Sequence, residues 1–154
     1  MHRIYPEFLG GARGLALLIL RVVVGSAMAL HGWQKISGPG MTSWGNGMGI
    51  PPALQACAAL AEFGGGIGWV LGALTPVASL GLIVTMGVAV YTVITKFHAP
   101  YVGGPGGPSV ESAAGYLARA ILFLLVGPGR LSVDSLLFGR GPVVQPDPAR
   151  NLAG

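Results

Sequence analysis

"GLALLILRVVVGSAMALHGWQKI", Gly14 to Ile36, decides the fold class. As a helix it is about 34 Å long at 1.5 Å per residue, enough to cross a hydrocarbon core roughly 30 Å thick. Its apolar run "LLILRVVVG", Leu17 to Gly25, holds one permanent cation, Arg21, with nothing wet on either side. A soluble amphipathic helix would alternate wet and dry faces. This run is dry all round, so the segment reads as a membrane span whose arginine faces other helices.

Composition agrees. Hydrophobic residues make up 52% of the 154-residue chain and charged residues 9%, against roughly 25% charged in soluble domains. The net charge is +4, but the basic residues are scattered and no Lys/Arg run is interleaved with aromatics, which excludes a nucleic-acid surface. Cys57 is the single cysteine, so there is no intramolecular disulfide and no C-x-x-C dithiol.

Working outward, three more apolar segments follow, and the spans are expected at about 14–36, 52–74, 75–97 and 111–127. Glu111 and the first turn carry the shorter fourth span into the interface. "SGPGMTSWGNGMGIPP", Ser37 to Pro52, and "APYVGGPGGP", Ala99 to Pro108, interrupt the helices. Spans two and three meet at "LTP", where Pro76 suits the first turn of a new helix and predicts a tight hairpin. Ala27-Met28-Ala29 fits a signal-peptide cleavage site. Arg21 within the apolar stretch, and three further spans, favour a retained helix instead. In "RLSVDSLLFGR", Ser132 is an expected N-cap with Asp134 in the first turn of a short interfacial helix. The domain reading is a terminal segment at 1–13, a four-helix membrane domain at 14–130, and the short helix with a flexible tail at 131–154.

The fold class expected is therefore all-α, a bundle of four transmembrane helices. Arg3, Arg13, Arg130, Arg140 and Arg150 lie on the terminal side, Lys35 and Lys96 on the other. The positive-inside rule places both termini in the cytoplasm and both glycine-rich loops outside.

Depth counting from the segment ends puts Arg21 about 10 Å, Arg119 about 12 Å and Glu62 about 16 Å above the terminal face. The expectation is one layer in which Glu62 bridges Arg21, Arg119 or both. By helical phase Lys35 lies about 40° and His31 about 80° from Arg21 on one side of the helix, a polar column opening outward. Gly25 and Gly32 lie on or near that wedge. Glu111 is placed to face Lys35, Lys96 or His98. Gly64, Gly68 and Gly72 recur every four residues as a helix-packing ridge. Trp33 fits an aromatic belt. The candidates for ligand binding or proton relay are thus Arg21, His31, Lys35, Glu62 and Glu111, with Arg119, His98 and Asp134 secondary. No catalytic residue, metal site or cofactor of this chain is assigned. "GGPGGPS" has no P-loop lysine, and H-E-x-x-H and G-x-S-x-G are absent. His31 and His98 lie too near the helix ends, with no second pair, to argue for haem.

The order "LRVVVGSAMALHGWQKISG", "LAEFGGGIGWVLGALTPVASLGL", an acidic residue before the last span, and "GPGRLSVDSLL" resembles the DoxX family of small bacterial four-helix membrane proteins, over about Leu15 to Leu137. Each motif is short and glycine-rich; the specificity lies in their order and spacing. The positions matching the pattern are Arg21, Gly25, His31, Gly32, Lys35, Glu62, Gly65, Gly72, Glu111, Gly127, Gly129, Ser132 and Asp134. Arg119 and the glycine- and proline-rich loops fall outside it. The resemblance implies a multi-pass protein of the bacterial inner membrane. It also implies a link to membrane oxidoreductase systems, since related members look like quinone-reducing subunits of thiosulfate oxidation.

Three functions fit these residues. One is the membrane subunit of an oxidoreductase complex with a quinone as substrate, in which His31 or Lys35 donates hydrogen bonds, Glu62 relays protons and a partner protein supplies electrons. Another is a transporter or channel for a small anion. The last is an assembly subunit without chemistry, whose charges hold the helices in register and whose glycine ridges dock a helix of another protein or of a second copy. The lipid bilayer is a partner in all three.

Overall fold

The computed structural model of the protein describes residues 8–139. The expected flexible tail beyond them, and Arg3, Arg140 and Arg150, lie outside the described residues. Within them the chain forms five α-helices and no strand. These are α1 (Gly11–Ser37), α2 (Pro52–Leu71), α3 (Thr75–Thr95), α4 (Val110–Val126) and α5 (Val133–Phe138), with one 3-10 turn at Asn46–Met48 between α1 and α2. The first three are long and apolar enough to cross a membrane. α4, at 17 residues, is shorter.

Local chemistry sets the boundaries. Pro52 opens α2, where the missing N–H costs nothing. α2 stops at Leu71 and not at the expected Leu74, because Gly72 takes φ +63° and its N–H closes back on the Gly68 and Trp69 carbonyls. Leu74 is also left-handed, at φ +48°, and Pro76 then sits in the first turn of α3. The expected tight hairpin is present, one turn earlier on the α2 side. Ser132 caps α5 as expected, its Oγ accepting from Ser135 N–H at 3.1 Å.

The helices pack in order, α1 on α2, α2 on α3 and α3 on α4. α1 and α2 approach to backbone contact. A Cβ on Gly25 would lie 2.8 Å from the Gly66 carbonyl, and one on Gly32 would overlap the Phe63 backbone. Close approach of this kind replaces the hydrophobic effect as the glue where the surroundings are lipid. Gly66 is part of this contact, while Gly65 faces Leu82. The expected ridge is corrected accordingly. A Cβ on Gly64 would meet nothing within 4 Å, and one on Gly68 would meet Ala73 and Ala78 at the hairpin. Gly72 is a C-cap rather than a ridge position.

The axis is filled by Leu17, Val24, Met28, Trp69, Leu82, Met86, Ala120 and Phe123. Trp69 and Phe123 meet edge to face at 4.9 Å, and Trp69 Nε1 donates to Ser79 Oγ at 3.1 Å, so the indole is satisfied without water. The large apolar residues outside this core, among them Ile19, Val23, Leu30, Val84, Val88 and Leu125, are exposed on the outer faces, which is the surface a bilayer covers.

The α2–α3 hairpin, the end of α4 and all of α5 gather at one end of the bundle, here the hairpin end. The 38–51 and 96–109 loops lie at the other, the loop end.

Candidate functional site

Polar residues in the bundle form two clusters, one at each end, and not one column. At the hairpin end Arg21 is fully buried, and its Nη2 donates to the Leu131 carbonyl at 2.5 Å. Asp134 supplies the nearby negative charge. Asp134 itself is 1% exposed, and its carboxylate accepts from Leu74 N–H at 2.7 Å and Thr75 N–H at 2.9 Å. A residue of α5 thus caps α3, whose N-terminus carries unsatisfied donors and a positive dipole end. Asp134 N–H returns a bond to the Gly72 carbonyl at 2.9 Å. A Cβ on Gly72 would overlap the Arg21 guanidinium, so this glycine serves its left-handed turn and the arginine together.

The expected pairing of Arg21 with Glu62 is corrected. Glu62 takes its cation from Lys35, whose ammonium bonds Glu62 Oε1. Fourteen residues, about 21 Å of helix, separate Lys35 from Arg21, so the two cations cannot share that carboxylate. The reason is overhang. Depth counting assumed flush helix ends, but the first turns of α1 project beyond α2. There the 127–135 segment covers them, with Arg130 N–H on the Leu9 carbonyl at 2.9 Å and Gly129 against Leu17 and Gly14. Arg21 therefore lies level with Gly72 at the hairpin, not at mid-depth. Arg119 does not join Glu62 either; its guanidinium lies over the Tyr116 ring at 5.3 Å.

At the loop end, the Lys35–Glu62 pair is the edge of a cleft of about 200 Å³, lined also by His31, Tyr116, Ser109, Ser112, Met28, Met86, Ala89, Ala113 and Val93. All four long helices contribute. Glu62 is 2% exposed, and its second oxygen, Oε2, is buried with no hydrogen-bond partner. His31 meets the Tyr116 ring edge to face at 5.9 Å, joining α1 to α4. Of the sequence candidates, His31, Lys35 and Glu62 come together here. Glu111 is exposed in the first turn of α4 and is engaged by its backbone N–H to Tyr101. Neither expected lysine reaches it, since Lys35 bonds Glu62 and Lys96 donates to the Met48 carbonyl. His98 is an exposed residue at φ +46° after α3. Trp33 packs on Phe63 at 5.7 Å. Among the described residues no group of three or more His, Cys, Asp or Glu is placed to hold a metal.

Sequence reading missed Tyr116, Trp44 and Gln55. Lys35 Nζ lies 4.2 Å over the Trp44 ring, so the cation is held between a carboxylate and an aromatic face. Trp44 Nε1 donates to the Gln55 carbonyl at 3.0 Å. Gln55 is fully buried; its Oε1 accepts from Gly45 N–H at 2.7 Å, and its Nε2 donates to Ile50 O at 2.7 Å and Asn46 Oδ1 at 3.0 Å. One amide side chain thereby folds the 38–51 loop onto the start of α2 and delivers Trp44 to Lys35. The available signal was polarity out of place: Gln55 is the one amide in an otherwise apolar helix start.

A family model described as DoxX matches residues 16–95, just over half of the chain. The chain belongs to the DoxX family. "Inner membrane protein YqjF" of Escherichia coli (strain K12) is 29% identical over 126 residues, covering 80% of this chain and 92% of that relative. No solved structure matches the chain. With three helices apolar enough to span, this DoxX protein is a multi-pass protein of the inner membrane. The DoxX match covers α2, α3 and all of α1 but its first five residues, and with them Arg21, His31, Lys35 and Glu62. Tyr116 and Asp134 lie beyond it.

Proposed function

We propose that this DoxX protein is the membrane subunit of an oxidoreductase complex and binds the ring of a quinone-type molecule in the loop-end cleft. The carrying observation is the cleft's composition: an ion pair, His31, Tyr116, Ser109 and Ser112 together with the apolar Met28, Met86, Ala89 and Val93. A small ring with polar edges and an apolar body needs that mixture. Electrons come from a partner protein, since no redox centre is visible in the sequence.

The same reading makes α4 the fourth crossing. Seventeen residues give about 25 Å, close to the hydrocarbon thickness. The termini, α5 and the hairpin end then lie on the cytoplasmic side with Arg13 and Arg130, as the positive-inside rule prefers.

Transport of a small anion is less well supported. Trp69, Leu82, Phe123 and Met28 fill the axis between the two polar clusters, each at most 1% exposed. A purely structural role fits the Arg21–Asp134 cluster, where Arg21 Nε and Nη1 also lack partners; Glu62 differs in lining a cleft.

The test is equilibrium binding of a decyl-substituted benzoquinone and its reduced form to the full chain in nanodiscs. Binding of at least one form, weakened several-fold by Tyr116→Ala, is expected. Binding of neither, together with no co-purifying oxidoreductase, overturns the proposal.

A further inference from the structure

We infer that the cleft selects the reduced, hydroxyl-bearing form of its ligand, a hydroquinone, because Glu62 requires a hydrogen-bond donor; the inference rests on the quinone-type reading above. A carboxylate has about four lone-pair sites on its two oxygens. In Glu62 the Lys35 ammonium takes Oε1, and no protein group donates to the buried Oε2. Leaving a buried acceptor empty carries its full desolvation penalty, larger for a charged group than for a neutral one. The cleft carries donors of its own, on Ser109, Ser112, Tyr116 and His31, but none of them reaches Oε2, and Lys35 is engaged by Oε1 and the Trp44 face.

A ligand that brings a donor completes Oε2, and the surroundings of that oxygen restrict the donor's chemistry. An anion is repelled by the carboxylate. A second cation is repelled by the Lys35 ammonium beside it. A neutral donor remains, of which a hydroxyl is the most compact. The walls favour an aromatic carrier over an aliphatic alcohol, since Tyr116 and His31 offer ring contacts and Met28 and Met86 add thioethers to the lining, which attract ring edges. About 200 Å³ gives room for one ring. A phenolic hydroxyl completes Glu62, whereas a quinone carbonyl is only an acceptor, sets lone pairs against lone pairs and leaves Oε2 unpaired. Selectivity between the two forms follows from hydrogen-bond polarity alone, because the rings are nearly the same size.

The experiment compares three decyl-tailed probes on the full chain in nanodiscs, under anaerobic conditions: the benzohydroquinone, its dimethyl ether and the benzoquinone. The ether keeps the ring, loses both donors and does not exchange electrons. Expected is hydroquinone binding at least tenfold tighter than either other probe. In Glu62→Gln, whose amide offers donors to a carbonyl, the hydroquinone-to-quinone preference falls at least tenfold. Quinone or ether binding as tight as hydroquinone in the unaltered protein overturns the inference while leaving the quinone-type site standing. An unchanged preference in folded Glu62→Gln also overturns it. Binding of none of the three removes the site reading itself. The wild-type comparison decides even where the variant does not fold.

Discussion

At the scale of single residues, the separation of Arg21 from Glu62 reassigns both. Arg21 is bound to the Leu131 carbonyl beside Asp134, an arrangement that holds three segments together. Glu62 is bound to Lys35, which is about a quarter exposed while the carboxylate is 3% exposed. Breaking such a pair from one side strands a buried charge, whereas replacing both partners with apolar groups is often neutral. Lys35→Leu is therefore expected to destabilise the protein by about 2–4 kcal/mol, and adding Glu62→Leu to recover most of that. Thermal unfolding in detergent measures both; a Lys35→Leu protein as stable as wild type would remove the ion pair from this account. His31, Lys35 and Glu62 were legible as residues, because a polar side chain in an apolar run is conspicuous. Their pairing was not, because it depends on how far α1 overhangs α2, and that is set by the 127–135 segment far away in sequence. Tyr116 and Trp44 gave no signal, since an aromatic near a membrane interface is ordinary.

At the scale of elements, apolar length and Gly/Pro punctuation made the four long helices readable to within a few residues at their ends. Ser132 and Asp134 were readable as the start of α5. What α5 does was not, since Asp134 serves α3 instead of its own helix. The carboxylate satisfies Leu74 and Thr75 N–H groups that a hairpin this tight leaves without helical partners. Asp134→Ala is expected to cost about 1–2 kcal/mol, the range of a lost N-cap. Hydrogen exchange locates the loss: the Leu74 and Thr75 amides should exchange faster, while those of Gly25 to Gly32 in the α1–α2 contact stay protected. Equal acceleration at both places would mean that Asp134 supports the whole bundle and not this cap.

At the scale of the whole molecule, the two polar clusters and the apolar axis between them make the bundle one-sided. The hairpin end is closed by α5 and the Arg21 cluster; the loop end carries the cleft. Function then depends on which face of the membrane the loop end meets, and that follows from the number of crossings. With four, the loop end is outside and both termini are cytoplasmic, in keeping with Arg13, Arg130, Arg140 and Arg150 against Lys35 and Lys96. Cys57 is the only native thiol, so a Cys57→Ala background permits site-directed labelling. In right-side-out vesicles, Thr42→Cys and Gly104→Cys, both at exposed loop positions, should react with a membrane-impermeant maleimide. Ala149→Cys should react only after the membrane is opened. If Ala149→Cys reacts from outside together with Thr42→Cys, α4 does not cross, because an odd number of spans is then needed to bring the N-terminus inside. The cleft would keep its residues, but α4, which supplies Tyr116, would lie along the bundle without passing through the bilayer, and a ligand from the lipid would meet Glu62 from a different side.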